Sequence, residues 1–200
     1  MKIVVDAMGG DFAPAAVVEG AVLAAREHQT EIILTGLSDR INEELDKFKD
    51  RHSLPIEVMH AEEVVEMDDV PAKVLRGKKK SSMKIGLDIL KKGDAKAFVS
   101  AGNTGAVLAY STVILRPLKG VDRPAIAIQL PTLKGTSILL DAGANVDCKP
   151  LQLFQFGIMG HIYAKFILGK EEPRVGLLSI GEEDGKGNEH TVSWDADTAQ

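Results

Sequence analysis

The segment Ser-Ala-Gly-Asn-Thr-Gly at residues 100–105 concentrates small polar side chains and glycines within an otherwise apolar stretch. The first N–H groups of a helix lack intrahelical partners and lie at the positive end of its dipole, so a loop leading into a helix can hold an anion. Ser100, Asn103 and Thr104 add side-chain donors, and Gly102 and Gly105 allow close backbone approach. From this segment alone, a phosphate site and an ordinary capped helix explain the pattern equally well.

Similar loops follow three other predicted strands, in "VVDAMGGD", "LLDAGANVD" and "SIGEEDGKGNE". In open α/β sheets, ligands bind outside the carboxyl ends of the strands, so several such loops together indicate one site. The candidate residues in these loops are Asp6, Gly9, Gly10 and Asp11, then Asp141, Gly143 and Asn145, and finally Lys186 and Asn188.

The elements that must position these loops alternate between strand-like and helix-like patterns. The predicted strands are 1–7, 31–35, 56–59, 97–100, 125–130, 137–141 and 174–180. The predicted helices are 15–28, one that follows a cap at Ser38 and runs through about Asp50, 81–92 and 150–168, with one more opening at 103 or 104. This alternation predicts an α/β protein with a mostly parallel sheet covered on both faces. The consecutive strands 125–130 and 137–141 predict an antiparallel pair, and therefore a mixed sheet. We predict a single domain over residues 1–200.

The stretch 97–115 contains no charge and is nearly long enough to span a membrane, which takes roughly 20 apolar residues. Its polar residues, however, are concentrated at one point directly after a strand-like run. A strand, a tight turn and a helix capped by Asn103 or Thr104 account for this better.

A net charge of −5 argues against a general nucleic-acid binder. The single cysteine, Cys148, excludes an intrachain disulfide and favours a reducing cytosol. No G-x-G-x-x-G follows a strand, "GEEDGKG" lacks Walker A spacing, and neither H-E-x-x-H nor G-x-S-x-G occurs. The sequence therefore predicts neither a cofactor nor a metal site.

The basic run "RGKKKSSMK" at 76–84 is unusual in an acidic chain. It is either a solvated helix start, in which Ser81 or Ser82 caps the next helix, or a docking surface for an acidic partner. The cations that would form such a surface are Arg76, Lys78, Lys79 and Lys80.

Taken together, "DAMGGDFAP", "RGKKKSSM", "SAGNTGA", "GVDRPAIA", "LLDAGANVDCKP" and "GLLSIGEEDGKGNE" resemble the bacterial phosphate acyltransferases of phospholipid synthesis, from Met1 to about Glu189. The resemblance implies transfer of a fatty acyl group from acyl carrier protein to inorganic phosphate, giving acyl phosphate. It also implies a three-layer α/β/α fold similar to isopropylmalate dehydrogenases, and a homodimer. A cytoplasmic location is implied, with peripheral association at the inner membrane face beside a glycerol-3-phosphate acyltransferase.

On this interpretation phosphate is itself the nucleophile, so no covalent enzyme intermediate is required. Ser100, Gly102, Asn103, Thr104 and Gly105 are predicted to hold phosphate. Asn145 and Lys186 are candidates to polarise the thioester carbonyl or offset phosphate charge. Asp6 and Asp141 are predicted to order the loops, and either could act as a base. Arg76 and Lys78–Lys80 would meet the acidic carrier protein.

The sequence departs from the family pattern in two ways. Phe12 stands where the family has a histidine after Gly-Gly-Asp, and the family's chains continue well beyond position 200, with residues 190–200 here diverging from them. The chain is thus expected to be the N-terminal part of a longer family domain. Two other functions remain open: a non-catalytic module that binds phosphorylated or acylated metabolites, and an NAD-dependent dehydrogenase on a related fold.

Overall fold

The computed structural model of the protein describes residues 1–142 and 148–178. The chain divides into two compact units, Met1–Arg116 and Pro117–Gln200. Each unit is described by itself below. Whether the two form the single domain predicted from the sequence stays a prediction.

The first unit is built on a four-stranded parallel sheet with the strand order β3-β2-β1-β4. Asp6 pairs in register with Thr35, and Val5 pairs with Val99, so β1, β2 and β4 end at the same edge. Loops that follow neighbouring strands therefore meet at this carboxyl edge. The strands are β1 (Lys2–Asp6), β2 (Glu31–Gly36), β3 (Ile56–His60) and β4 (Ala97–Val99).

Helices cover both faces of this sheet. On β2, Ile32 and Leu34 pack in one buried cluster with α1 and α2, whereas Ile33 points to the opposite face and packs with Ile89 of α4. Side chains alternate between faces along a strand, so an apolar run such as this is what a strand buried on both faces requires. The α/β fold predicted from the sequence is confirmed. The helices of this unit are α1 (Ala15–His28), α2 (Ser38–Leu45), α3 (Pro71–Gly77), α4 (Ser82–Lys92) and α5 (Thr104–Ile114).

The helix ends confirm some local predictions and correct others. Ser81 caps α4, accepting the N–H of Lys84 at 3.3 Å, and Gly93 ends that helix at φ +85°. Ser38 was expected to cap α2, but it is the helix's first residue and its hydroxyl hydrogen-bonds His60 Nδ1 at 2.8 Å. The helix also ends at Leu45 rather than near Asp50. The strand-turn-helix prediction for 97–115 is confirmed by β4 and α5.

The second unit contains an antiparallel pair and a long helix. Strands β5 (Ala127–Thr132) and β6 (Gly135–Leu140) form a two-stranded sheet of their own, and α6 (Pro150–Phe166) packs on β6. Gly160 makes this packing close, because a Cβ there would lie 2.5 Å from Leu140 Cδ1. The strand predicted for 174–180 is absent from its described part, residues 174–178.

Candidate functional site

The loops after β1 and β4 meet at a hydrogen-bonded junction. Asp6 is 2% exposed, and its Oδ2 accepts the Ser100 hydroxyl at 2.8 Å while its Oδ1 accepts the N–H of Met8 at 3.2 Å. The Ser100 oxygen in turn accepts the N–H of Gly102 at 3.1 Å. The structure thus brings together two of the four loops that the sequence singled out.

This junction is so close that it requires glycine. A Cβ on Gly9 would lie 2.8 Å from Asp6 Oδ2, from Gly102 N and from Ser100 Oγ, distances that real Cβ atoms essentially never show. Gly10 adopts φ +103° against Ala101, a conformation that disfavours any side chain. The Gly-Gly pair after the first strand therefore serves the contact between the loops. Asp11 and Phe12, which follow it, are exposed.

Asn103 is buried at 8% exposure and makes more contacts than the sequence indicated. Its Oδ1 caps α5 by accepting the N–H of Ala106 at 2.9 Å. Its Nδ2 lies within hydrogen-bond distance of the carbonyls of Asp69 (2.9 Å), Met67 (3.0 Å) and Glu66 (3.3 Å). The amide that was predicted to bind phosphate is thus directed at the loop 66–69, and Asn103 positions that loop against the start of α5.

The groups at the start of α5 that have no protein partner among the described residues belong to Thr104 and Gly105, the two residues that follow Asn103. Thr104 is exposed, and within the described part of the chain the N–H groups of Thr104 and Gly105 make no hydrogen bond to protein. The N–H groups of Ala106 and Val107 are already taken by Asn103. Two unpaired N–H groups and one hydroxyl at a helix start are chemically suited to an anion.

Asp141 lies in the second unit, directly after β6. It adopts φ +61°, its N–H donates to the Ile126 carbonyl at 2.8 Å, and its Oδ2 is 3.5 Å from Cys148 Sγ. A left-handed conformation is uncommon for a residue other than glycine, which fits a loop-ordering role for Asp141. Four other predicted site residues lie outside the described residues, and their roles stay predictions: Gly143, Asn145, Lys186 and Asn188.

The basic run is not a uniform cationic surface. Lys78 forms an ion pair with Asp69 and donates to the Val64 carbonyl at 2.7 Å, and Lys80 pairs with Glu62 at 2.8 Å. The Lys78 ammonium, helped by the backbone N–H of Glu66, lowers the pKa of Asp69. Arg76 and Lys79 are exposed and take part in no ion pair within residues 1–142 and 148–178.

The hydroxyl of Tyr110, in α5, hydrogen-bonds backbone carbonyls in and just before the basic run, a contact that the sequence did not indicate. Its buried hydroxyl lies 2.5 Å from the Lys78 carbonyl and 3.2 Å from the Val74 carbonyl, and it accepts the Ser81 hydroxyl at 3.3 Å. Burial raises the pKa of Tyr110, so the phenol stays protonated as these bonds require. An aromatic residue in an apolar helix gives no hint in the sequence of such a partner.

No group of three or more metal-ligating side chains is assembled within the described residues. No helix in that same part of the chain has the length and apolar character needed to cross a bilayer.

Comparison with known proteins supports the resemblance that the motifs indicated. A family model described as a fatty acid synthesis protein matches residues 1–196, which extends past Glu189. A phosphate acyltransferase of Geobacter sulfurreducens is 53% identical over 196 residues, covering 98% of this chain and 56% of the relative. The phosphate acyltransferases of Geotalea uraniireducens and Pelotomaculum thermopropionicum are 52% and 51% identical, covering 96% of this chain in each case and 55% and 56% of the relatives.

The expectation that family members are longer is confirmed, because the chain spans about half the length of the curated relatives it matches. Its motifs, its α/β fold and a family match over nearly all of its residues agree. This chain belongs to the fatty acid synthesis protein family.

Proposed function

We propose that the protein takes part in transferring a fatty acyl group from acyl carrier protein to inorganic phosphate, giving acyl phosphate for phospholipid synthesis. The observation that carries this proposal is the junction of Asp6, Gly9 and Ser100, which holds two family motif loops together beside the open start of α5. The names of the relatives, phosphate acyltransferase, support the same reaction.

In this reaction an oxygen of phosphate attacks the thioester carbonyl carbon. The bond from that carbon to sulfur breaks, and the sulfur leaves as the carrier's thiolate, which takes up a proton. The acyl–oxygen bond gives acyl phosphate, and no group on the protein needs to become acylated. The protein's contribution is then to orient phosphate and stabilise the charge that develops on the carbonyl oxygen.

The described residues support distinct roles in this scheme. The Thr104 hydroxyl and the N–H groups of Thr104 and Gly105 hold phosphate, Ser100 and Gly102 shape the loop, and Asn103 positions it. Asp6 orders the junction, since both of its carboxylate oxygens accept hydrogen bonds from the protein. Asp141 orders the loop after β6 or acts as a base. Asn145 and Lys186, which lie outside the described residues, are proposed from the sequence alone to act on the thioester carbonyl or to offset phosphate charge.

The carrier protein is proposed to dock on the basic run. Its acidic surface would meet Arg76 and Lys79 first, because Lys78 and Lys80 are engaged with carboxylates of the same unit. The homodimer, the cytoplasmic location and the peripheral membrane association with a glycerol-3-phosphate acyltransferase belong to the same proposal.

The experiment is to incubate the protein with an acyl carrier thioester and radiolabelled phosphate, and to measure label in the acyl product alongside the release of carrier thiol. Thr104→Val removes one hydroxyl and should lower kcat/KM for phosphate by about 100-fold, the typical effect of losing one well-placed donor. Thr112→Val is the matched control, because Thr112 lies in the same helix and its hydroxyl, among the described residues, bonds only the Leu108 carbonyl. Binding of thioester without labelled product would favour a non-catalytic module.

A further inference from the structure

A cleft of about 420 Å³ opens at the carboxyl edge of the sheet in the first unit. Residues of the segment 8–13 line one side, residues of the segment 64–68 line the other, and Arg40 of α2 completes the lining. Sites for small organic ligands have volumes of about 300–1,000 Å³ and lie preferentially at this edge of α/β sheets. The cleft is therefore large enough for an extended small ligand.

Both walls of the cleft are held by the motif residues described above. Gly9, between the lining residues Met8 and Gly10, lies in the junction with Asp6 and Ser100. The opposite wall is fixed through its backbone, because the carbonyls of Glu66 and Met67 receive the Asn103 amide. The loop at 100–105 thus organises the cleft as well as the start of α5.

The chemistry of the lining excludes free phosphate as the ligand. The carboxylates of Asp11, Glu66 and Asp68 are exposed around the cleft, and Arg40 is the single cation in the described lining. Such a set repels a dianion but accepts hydrogen bonds from amide N–H and hydroxyl groups. Met67, which is 52% exposed, adds flexible apolar surface for methyl and methylene groups, and the buried Met8 lies at the base of the lining. The matching ligand is an elongated neutral chain with amide and hydroxyl donors and at most one anionic group.

We propose that this cleft binds the phosphopantetheine arm that presents the acyl thioester, with Arg40 paired to the arm's phosphate group. This inference rests on the proposed function, because it is the acyl carrier that supplies such an arm. Arg40 is exposed and forms no hydrogen bond or ion pair within the described residues, so its guanidinium is free to meet that charge. The arm's amides face the carboxylates, and its gem-dimethyl group lies against Met67.

The decisive experiment compares acyl-pantetheine with the methyl phosphodiester of acyl-4′-phosphopantetheine, which carries one negative charge, as the phosphate of the carrier-bound arm does. Arg40→Glu should raise KM for the phosphorylated thioester roughly three- to tenfold, the range for an exposed charge pair and its reversal, and leave KM for acyl-pantetheine within about twofold. Lys91→Glu is the control: it makes the same charge change near the end of α4, which precedes β4 and so lies at the opposite edge of the sheet.

A second pair of variants tests the cleft itself. Met67→Trp fills the cleft while keeping the backbone carbonyl that Asn103 contacts, and should lower kcat/KM for both thioesters by about tenfold or more. Met59→Trp, at another partly exposed methionine, should not. Circular dichroism melting of every variant establishes that the fold is retained.

Binding of the methyl phosphodiester of 4′-phosphopantetheine alone, measured by calorimetry, separates the two proposals. If the parent binds it in an Arg40-dependent way but forms no acyl phosphate, the cleft assignment stands and the proposed reaction fails. If the parent turns over and both Arg40→Glu and Met67→Trp match it on every substrate, the cleft assignment is overturned. A parent that neither binds nor turns over contradicts both.

Discussion

Two buried side-chain amides stand at the starts of α5 and α6, one in each unit. Asn103 caps α5 and directs its amide at the carbonyls of residues 66–69. Gln152, in the first turn of α6, accepts the N–H of Lys149 at 3.0 Å and donates to the Asp122 carboxylate at 2.7 Å. Each amide therefore joins a helix start to a loop some 30 or more residues away in the chain, at 8% and 6% exposure respectively.

The two amides differ in the charge of their partners. Asn103 contacts neutral carbonyls of the backbone, so its hydrogen bonds do not depend on pH and leave the start of α5 without a fixed negative charge. Gln152 contacts a carboxylate, which makes its bond stronger but conditional on the charge of Asp122. The contact of Asn103 with neutral carbonyls suits a helix start that is proposed to receive phosphate. The contact of Gln152 with a carboxylate suits a purely structural junction.

The largest expected effect comes from Asn103→Ala. It removes a helix cap, which costs about 1 kcal/mol, and it deletes the partly buried hydrogen bonds from the side-chain amide to the carbonyls of residues 66–69, which contribute about 0.5–1.5 kcal/mol for each N–H. The free energy of unfolding of the first unit should fall by about 2–4 kcal/mol in urea denaturation. Acyl phosphate formation should fall by orders of magnitude even below the denaturation range, because the loop 66–69 is released.

Asn103→Asp sharpens this test because it keeps the cap acceptor but replaces the amide donor. If Asn103 acts mainly as a cap, this variant should be nearly as stable as the parent. If the contacts to residues 66–69 matter as proposed, it should lose stability, and hydrogen exchange should accelerate at those residues. Near-normal turnover by both variants would remove Asn103 from the site.

The next largest effect is expected for Gly9→Ala. The added Cβ would meet three polar atoms at 2.8 Å, and such overpacking typically costs about 1–3 kcal/mol. Gly20→Ala is a matched control, because Gly20 lies on the exposed face of α1 and a Cβ added there would have nothing within 4 Å. This change should stabilise the helix by about 0.5–1 kcal/mol. Equal unfolding midpoints for the two variants would contradict the close junction.

These residues also show what the sequence could and could not predict. The bounds of α1, the cap at Ser81 and the turn before α5 follow from local spacing and chemistry, and all are observed. The contacts of Asn103 with residues 66–69 join positions that are distant in the chain, and no local pattern encodes them. Ser38 is instructive for the same reason, because its hydroxyl is taken by His60 of the neighbouring strand and does not cap its own helix.

The docking surface illustrates a related difficulty. A run of cations in sequence predicts positive charge, but the carboxylates that neutralise Lys78 and Lys80 come from Asp69 and Glu62, nine and 18 positions away. Arg40 shows the opposite case. It is not part of a cationic run in the sequence, and only the fold places it beside the loops after β1 and β3 that line the cleft. Side-chain charge is readable from sequence, whereas its partners depend on the fold.

A smaller effect is expected in the second unit. Gln152→Ala removes the donor to Asp122 and should lower the free energy of unfolding of this unit by about 1–2 kcal/mol. Gln152→Glu replaces the donor by a second carboxylate against Asp122, so it should lower the free energy of unfolding by more than Gln152→Ala does. Equal losses for the two variants would contradict the charged character of this contact.

The smallest effect concerns Asp69, whose carbonyl Asn103 contacts and whose carboxylate pairs with Lys78. The pairing lowers the pKa of Asp69 in the folded state, so its stabilisation is complete above the ordinary aspartate pKa, about 4, and is lost as the pH falls below that value. Asp69→Asn should therefore cost about 0.2–1 kcal/mol at pH 7, and this cost should disappear as the pH falls through the lowered pKa of Asp69.

The Arg26–Asp50 pair provides the comparison for this last measurement. It is more exposed than the Asp69–Lys78 pair and lies on the outer surface of α1, so raising the salt concentration should abolish the effect of Asp50→Asn first. The Asp69 carboxylate also receives the Glu66 N–H at 2.8 Å, a bond that salt does not screen and that an asparagine oxygen can still accept. If Asp69→Asn instead destabilised the protein as much below the lowered pKa of Asp69 as at pH 7, the side chain would act through its shape and not through its charge. The contrast between Asn103, which contacts neutral carbonyls, and the charged contacts around it would then lose its support.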